Sequence, residues 1–108
     1  MKRAELYRVY RGDRKDPRKT RVFAVVSRQL LIDSKYETVI CAPVYSFYSG
    51  LSTQVPVGVD EGLKHESAIH CDGLMSVPKS LLTDFVGRLD GSKIEDLNKA
   101  LEVSVGLR

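Results

Sequence analysis

The longest unbroken apolar stretch in this chain is only five residues, Val22-Phe23-Ala24-Val25-Val26, closed by Arg21 and Ser27. A β-branched run of that length with polar ends reads as a strand buried on both faces. It is far short of the roughly 20 apolar residues that a membrane-spanning helix needs. At 108 residues the chain has room for one core of useful size, so residues 1–108 are expected to form a single domain. Met1-Lys2-Arg3-Ala4-Glu5-Leu6-Tyr7-Arg8 is basic but leads into no apolar stretch. It is therefore not read as a signal peptide, and a cytoplasmic location without membrane contact is expected.

Around the Arg21–Ser27 run the chain reads as short strands punctuated by turn chemistry. Leu6, Tyr7, Val9 and Tyr10 have strand composition and lead into a charged stretch, Arg11 to Lys19, that holds Gly12 and Pro17 but no apolar residue. That stretch reads as a flexible loop. Arg28–Ser34 is ambiguous, with a short helical turn as one reading. Glu37–Val44 is a strand that Pro43 is expected to end, because proline cannot donate to a ladder. Tyr45–Ser52 is a Ser/Tyr/Gly loop, Thr53–Val59 an edge strand confined to that place by Pro56, and Asp60–His65 a polar turn around Gly62.

Ser67–Asp72 is read as one continuous strand. Its alternation turns Ile69 and Cys71 inward and His70 and Asp72 outward together, with their Cα atoms roughly 6.5–7 Å apart. Leu74–Val77 and Phe85–Leu89 are short strands around a helical turn at Pro78–Leu82. Ser92 and Glu95 have the spacing of a capping box. Ile94, Leu97, Leu101 and Val105 then recur at helical spacing beside Ala100, to an end near Gly106. Five or more short strands and one C-terminal amphipathic helix give a mainly β (α+β) chain, a small barrel.

The net charge of +3 is unevenly spread. Residues 1–21 hold nine Lys/Arg against three acids, leaving the remainder net acidic. Concentrated positive charge is either a solvated basic loop or the footprint of a polyanion partner. Cys41 and Cys71, with no second pair and no CxxC spacing, are expected to be small buried hydrophobes rather than a disulfide or a metal site.

The order and spacing of these pieces resemble the MazF/PemK/Kid family of type II toxin–antitoxin toxins over nearly the full length. The resemblance is carried by Lys2-Arg3-Ala4-Glu5-Leu6-Tyr7, then Arg21 to Ser27 and Val39-Ile40-Cys41-Ala42-Pro43-Val44. It continues through Glu61-Gly62-Leu63, Ser67-Ala68-Ile69-His70-Cys71-Asp72, Leu97-Asn98-Lys99-Ala100-Leu101 and Val105-Gly106-Leu107. It implies an SH3-like barrel of the CcdB/PemK type with a C-terminal amphipathic helix, acting as a homodimer. It further implies a metal-independent, cofactor-free endoribonuclease that cuts single-stranded mRNA at short preferred sequences and inhibits growth. A cognate antitoxin with an acidic disordered tail would neutralise it, and operator DNA would be met only through that antitoxin complex.

By the same resemblance, the RNA's own 2′-hydroxyl is the nucleophile, which excludes DNA as substrate. Such chemistry needs a base, an acid, and donors that stabilise the phosphorane. Arg21 aligns with the family's catalytic arginine and offers a planar fork to phosphate; Val22 follows where the family usually has Pro. Asp72 aligns with the acid that Kid-type members use as base. His70 falls where they carry Arg, and imidazole can move a proton in either direction near neutrality. Ser46 or Tyr45 occupies the place of a catalytic Thr. Tyr45, Phe47 and Tyr48 are candidates for base stacking, worth roughly 1–3 kcal/mol per base, or for packing. Thr53 and Gln54 are candidate base readers, and His65 reads as an ordinary turn residue. Arg11, Arg14, Lys15, Arg18 and Lys19 are expected to contact phosphates. Two other functions stay open: a non-catalytic nucleic-acid-binding barrel, and a gyrase-poisoning CcdB-like toxin. The latter lacks its terminal aromatic in Val105-Gly106-Leu107-Arg108.

Overall fold

A computed structural model describes residues 1–10 and 20–108. The five basic residues expected to contact phosphates between Arg11 and Lys19 lie outside the described residues. The remainder runs β1 (Glu5–Tyr10), β2 (Thr20–Val25), α1 (Gln29–Asp33), β3 (Thr38–Tyr45), β4 (Gln54–Val57), β5 (Ser67–His70), β6 (Met75–Pro78), β7 (Asp84–Arg88) and α2 (Gly91–Ser104). The strands pair in the order β4-β5-β3-β2-β1-β7, every pairing antiparallel, and β6 joins β3 on the same side as β5. This is the curled, mainly antiparallel sheet with a C-terminal helix expected from the sequence. No helix among the described residues is long and apolar enough to cross a membrane.

The apolar run of β2 is buried on both faces, as its composition implies. Ala24 and Val26 join Leu6, Ala42, Ile69 and Leu97 in one core, while Phe23 and Val25 join Tyr7, Val9, Val39, Cys41 and Val77 in a second. Burial of this kind is worth about 1.5–3 kcal/mol per large side chain, so β1–β3 are fixed from both sides. Cys41 and Cys71 are free and buried in different cores. Burial pushes their thiols up to about 12 and about 11, which leaves them inert as nucleophiles at neutral pH.

Pro43 does not end its strand; β3 runs on to Tyr45. Val26 N–H donates to the Ile40 carbonyl at 3.0 Å. Alternation then makes Ala24/Ala42 and Val22/Val44 the bonded pairs and turns the Pro43 nitrogen away from β2. On that other side β3 changes partner, from β6 (through Cys41↔Met75) to β5 (from Val44↔Ile69). The missing donor sits at the switch, where no ladder bond is asked of it. Pro56 keeps its expected place on β4, the edge strand.

The two ends of the sheet meet through glycines. Beyond β4 a 3₁₀ turn (Val59–Glu61) delivers Gly62 at φ 93° against Val86 and Gly87 of β7. A Cβ at position 62 would collide with the Val86 carbonyl oxygen, and one at 87 with that of Glu61.

The helix differs from expectation at its start. Its N-cap is Asp90, not Ser92, and Asp90 Oδ1 accepts from Lys93 N–H at 2.9 Å. Asp90 has the extended backbone of an N-cap (φ −79°, ψ 179°), and Ser92, already inside the helix, instead donates its hydroxyl to the same carboxylate. Leu97 and Ala100 are buried, with Ile94 and Leu101 packed beside them. Val105 is the exposed C-cap rather than a core residue. Arg28–Ser34 resolves into the short helix α1, which contributes Ile32 to the second core.

Candidate active site

Strand register assembles a row of side chains across one end of the sheet. Arg21 on β2 lies one step beyond the Val22↔Val44 pair and so stands beside Tyr45 on β3. Tyr45 pairs with Ala68, and Gln54 on β4 pairs with His70 on β5. All four therefore point from the same face. The Arg21 guanidinium lies over the Tyr45 ring, 4.5 Å from its centroid. His70 meets Tyr45 edge-on at 4.8 Å and Phe47 at 4.7 Å, while Phe47 stacks on Tyr45 at 5.8 Å. Arginine over an aromatic face gains about 0.5–1 kcal/mol at an exposed site, and the contact fixes which way its fork points.

The hydrogen bonds define the state of the imidazole. Ser49 N–H donates to Gln54 Oε1 at 2.8 Å, which sets the amide so that Gln54 Nε2 faces His70 Nδ1 at 3.4 Å. On the other side, His70 Nε2 lies 3.2 Å from the Phe47 carbonyl oxygen, which can only accept. The consistent tautomer carries hydrogen on Nε2 and a lone pair on Nδ1.

His70 and Asp72 do not form the expected outward pair. β5 stops at His70, and Cys71–Gly73 is a 3₁₀ turn, which breaks the two-residue alternation. Asp72 Oδ2 accepts instead from the Thr53 hydroxyl at 2.7 Å. Thr53 is buried, with its hydroxyl committed to that bond, so it is not placed to read a base. Gly73 lies close against the Pro43 ring, where a Cβ would come within 3.1 Å of it. Tyr48 is 53% exposed and Phe47 57%.

Ser46 is exposed and lines a cavity of about 680 Å³ together with Arg8, Tyr10, Thr20, Arg21, Tyr45, Lys64, His65 and Ser67. The structure thus joins Arg21, Tyr45, Ser46 and His70 at one end of the sheet and sets Asp72 and Thr53 apart as a buttress. Arg8, Lys64 and His65 line this cavity without having been singled out for it by the sequence. The signal for Arg8 was present, since β1 alternation turns from Leu6 to Arg8 and Tyr10 on one face.

Fold and cluster together define a small curled-sheet protein with a cationic, aromatic-lined mouth. A family model described as PemK-like, MazF-like toxin of type II toxin-antitoxin system matches residues 2–105, and the chain belongs to that family. Its fold is similar to that of the Mycobacterium tuberculosis toxin MazF-mt6, with TM-score 0.81 at 24% identity over 96% of this chain and 98% of that one. It is also similar to an endoribonuclease in complex with its cognate antitoxin from Mycobacterial species, with TM-score 0.83 at 20% identity over 98% and 95%. MazF from Deinococcus radiodurans matches with TM-score 0.74 at 14% identity over 98% and 96%.

Proposed function

We propose that this chain is an endoribonuclease toxin that cuts single-stranded RNA by attack of the 2′-hydroxyl on the adjacent phosphate. The reading rests chiefly on Arg21, held over the Tyr45 ring at the edge of a cavity whose lining includes Arg8 and Lys64. Arg21 would place its fork on the phosphate oxygens as charge builds in the phosphorane. Ser46 would add a hydroxyl donor. His70 Nδ1, engaged among the described residues by the 3.4 Å amide contact, is the lone pair able to take the 2′-proton. The P–O5′ bond breaks as the 2′,3′-cyclic phosphate forms, and the imidazolium or water returns a proton to the leaving 5′-oxygen. Asp72 acts through Thr53, anchoring the start of β4 beside Gln54, and is a positioning residue in this scheme. No metal is assigned a role. Family membership supports neutralisation by a cognate antitoxin, action as a homodimer, and a cytoplasmic setting.

One observation favours a second reading, a barrel that binds RNA without cutting it: both His70 nitrogens are engaged within the chain. A single experiment separates the two. Long single-stranded RNA incubated with the chain in EDTA should yield discrete fragments with cyclic phosphate ends. Arg21→Ala should slow that cleavage about 10²–10³-fold. Intact RNA that remains bound would establish the second reading and discard the first.

A further inference from the structure

Residues 46–52, between β3 and β4, are all exposed, and none joins either core. Among the described residues, the grip of this segment on the rest of the protein falls on Tyr45, Gln54 and His70. Leu51 C=O accepts from Gln54 N–H at 3.0 Å, and Ser49 N–H donates to Gln54 Oε1 at 2.8 Å. The Phe47 carbonyl takes His70 Nε2–H at 3.2 Å, and its ring stacks on Tyr45 and meets His70 edge-on. Gly50 makes the bend with a left-handed backbone, φ 76°, where a Cβ would meet open space.

We propose that this segment is a strap that sets the proton on His70, with Phe47 and Ser49 as positioning residues acting through their main-chain groups. A neutral imidazole has one donor and one acceptor nitrogen, and the partner of one decides the state of the other. The Phe47 carbonyl can only accept, so the seated strap keeps hydrogen on Nε2 and the lone pair on Nδ1. Ser49 works from the opposite side. Its N–H holds Gln54 Oε1, so that Gln54 Nε2 faces His70 Nδ1 at 3.4 Å, a donor that suits a lone pair and repels an N–H. Lifting the strap removes both constraints at once. Gln54 is then free to turn its amide over. Its Oε1, facing the ring, would draw the hydrogen to Nδ1 and delete the lone pair that takes the 2′-proton. The two main-chain groups therefore act as one switch, seated or lifted together. The catalytic consequence rests on the nuclease reading above; the position of the proton does not.

Imidazole nitrogen NMR shifts of the labelled chain, taken where both histidines are neutral, read the proton position directly, and His70→Gln assigns the signals. Ser49→Pro deletes the N–H that orients Gln54. Gly50→Val puts a β-branched residue where the backbone is left-handed, whereas Gly50→Asn tolerates that conformation. These positions are exposed and outside the cores, so the variants should fold. In the native chain His70 Nδ1 should show the shift of an unprotonated nitrogen. Ser49→Pro and Gly50→Val should move Nδ1 toward the protonated value and Nε2 away from it. Gly50→Asn should stay native, and His65 should not move in any of the three. In RNA cleavage, Ser49→Pro and Gly50→Val should each lower kcat about tenfold. Neither should add to the loss in Gln54→Leu, since all act on one ring. Native His70 shifts in both Ser49→Pro and Gly50→Val overturn the proposal, as does full additivity with Gln54→Leu. If the shifts move as expected while the native chain leaves RNA intact, the strap stands and only the nuclease reading falls.

Discussion

Tyr45 is the pivot of the candidate site, because Arg21 lies over its ring and His70 meets it edge-on. The chain Ser49 N–H to Gln54 to His70 leaves the imidazole little freedom to rotate or change tautomer. In Gln54→Leu, kcat should fall about tenfold, the worth of one oriented hydrogen bond near 1.4 kcal/mol. KM should stay nearly constant, and the acidic limb of the pH–rate profile should move. Steady-state cleavage of a fluorogenic RNA across pH measures this. A profile that keeps the native shape would show that Gln54 does not act through His70.

The elements carry their own electrostatics. Asp90 caps α2, and its carboxyl is held below its ordinary 3.8 by the Lys93 backbone N–H first and the Ser92 hydroxyl next. A lowered folded pKa means that the stabilisation is complete above the unfolded value and is lost as pH falls through the folded one. Thermal midpoints should therefore decline in acid below about pH 4 in the native chain, starting from the ordinary carboxyl range. Asp90→Asn, which keeps an acceptor for Lys93 N–H, should show a shallower decline, and Asp90→Ala a lower midpoint at neutral pH. Equal acid slopes in native and Asp90→Asn chains would remove the cap from the account.

For the molecule as a whole, the critical contact is the seam between the turn after β4 and β7. Gly62 combines a left-handed backbone with direct contact to the Val86 carbonyl, so Gly62→Ala faces two obstacles, neither of which a rotamer change relieves. We expect a loss of more than about 3 kcal/mol, read as an early urea midpoint or a failure to fold. Gly91→Ala, where a Cβ would meet open space, should be near neutral. A Gly62→Ala chain as stable as the native one would mean the seam is slack.

The sequence by itself determined what depends on neighbours along the chain. The β-branched run fixed β2 as doubly buried, the 3.6-residue spacing fixed α2 through Leu97 and Ala100, and isolated cysteines in apolar settings read correctly as packing. It placed Arg21 at the polar start of a buried strand, while the catalytic role expected of that residue came from the resemblance to the family. Tertiary structure decided what depends on strand adjacency, which no local pattern encodes. Pro43 was legible as a missing donor, but only the change of partner from β6 to β5 shows why the strand survives it. His70 and Asp72 looked like neighbours by alternation. Cys71–Gly73 instead folds as a 3₁₀ turn packed against the Pro43 ring, with Asp72 bonded to Thr53 and His70 facing Gln54. The cavity beside Arg21 likewise exists only because curling the sheet brings β1, β2, β3 and the 63–67 segment together, residues that pairing energies, not sequence distance, make into neighbours.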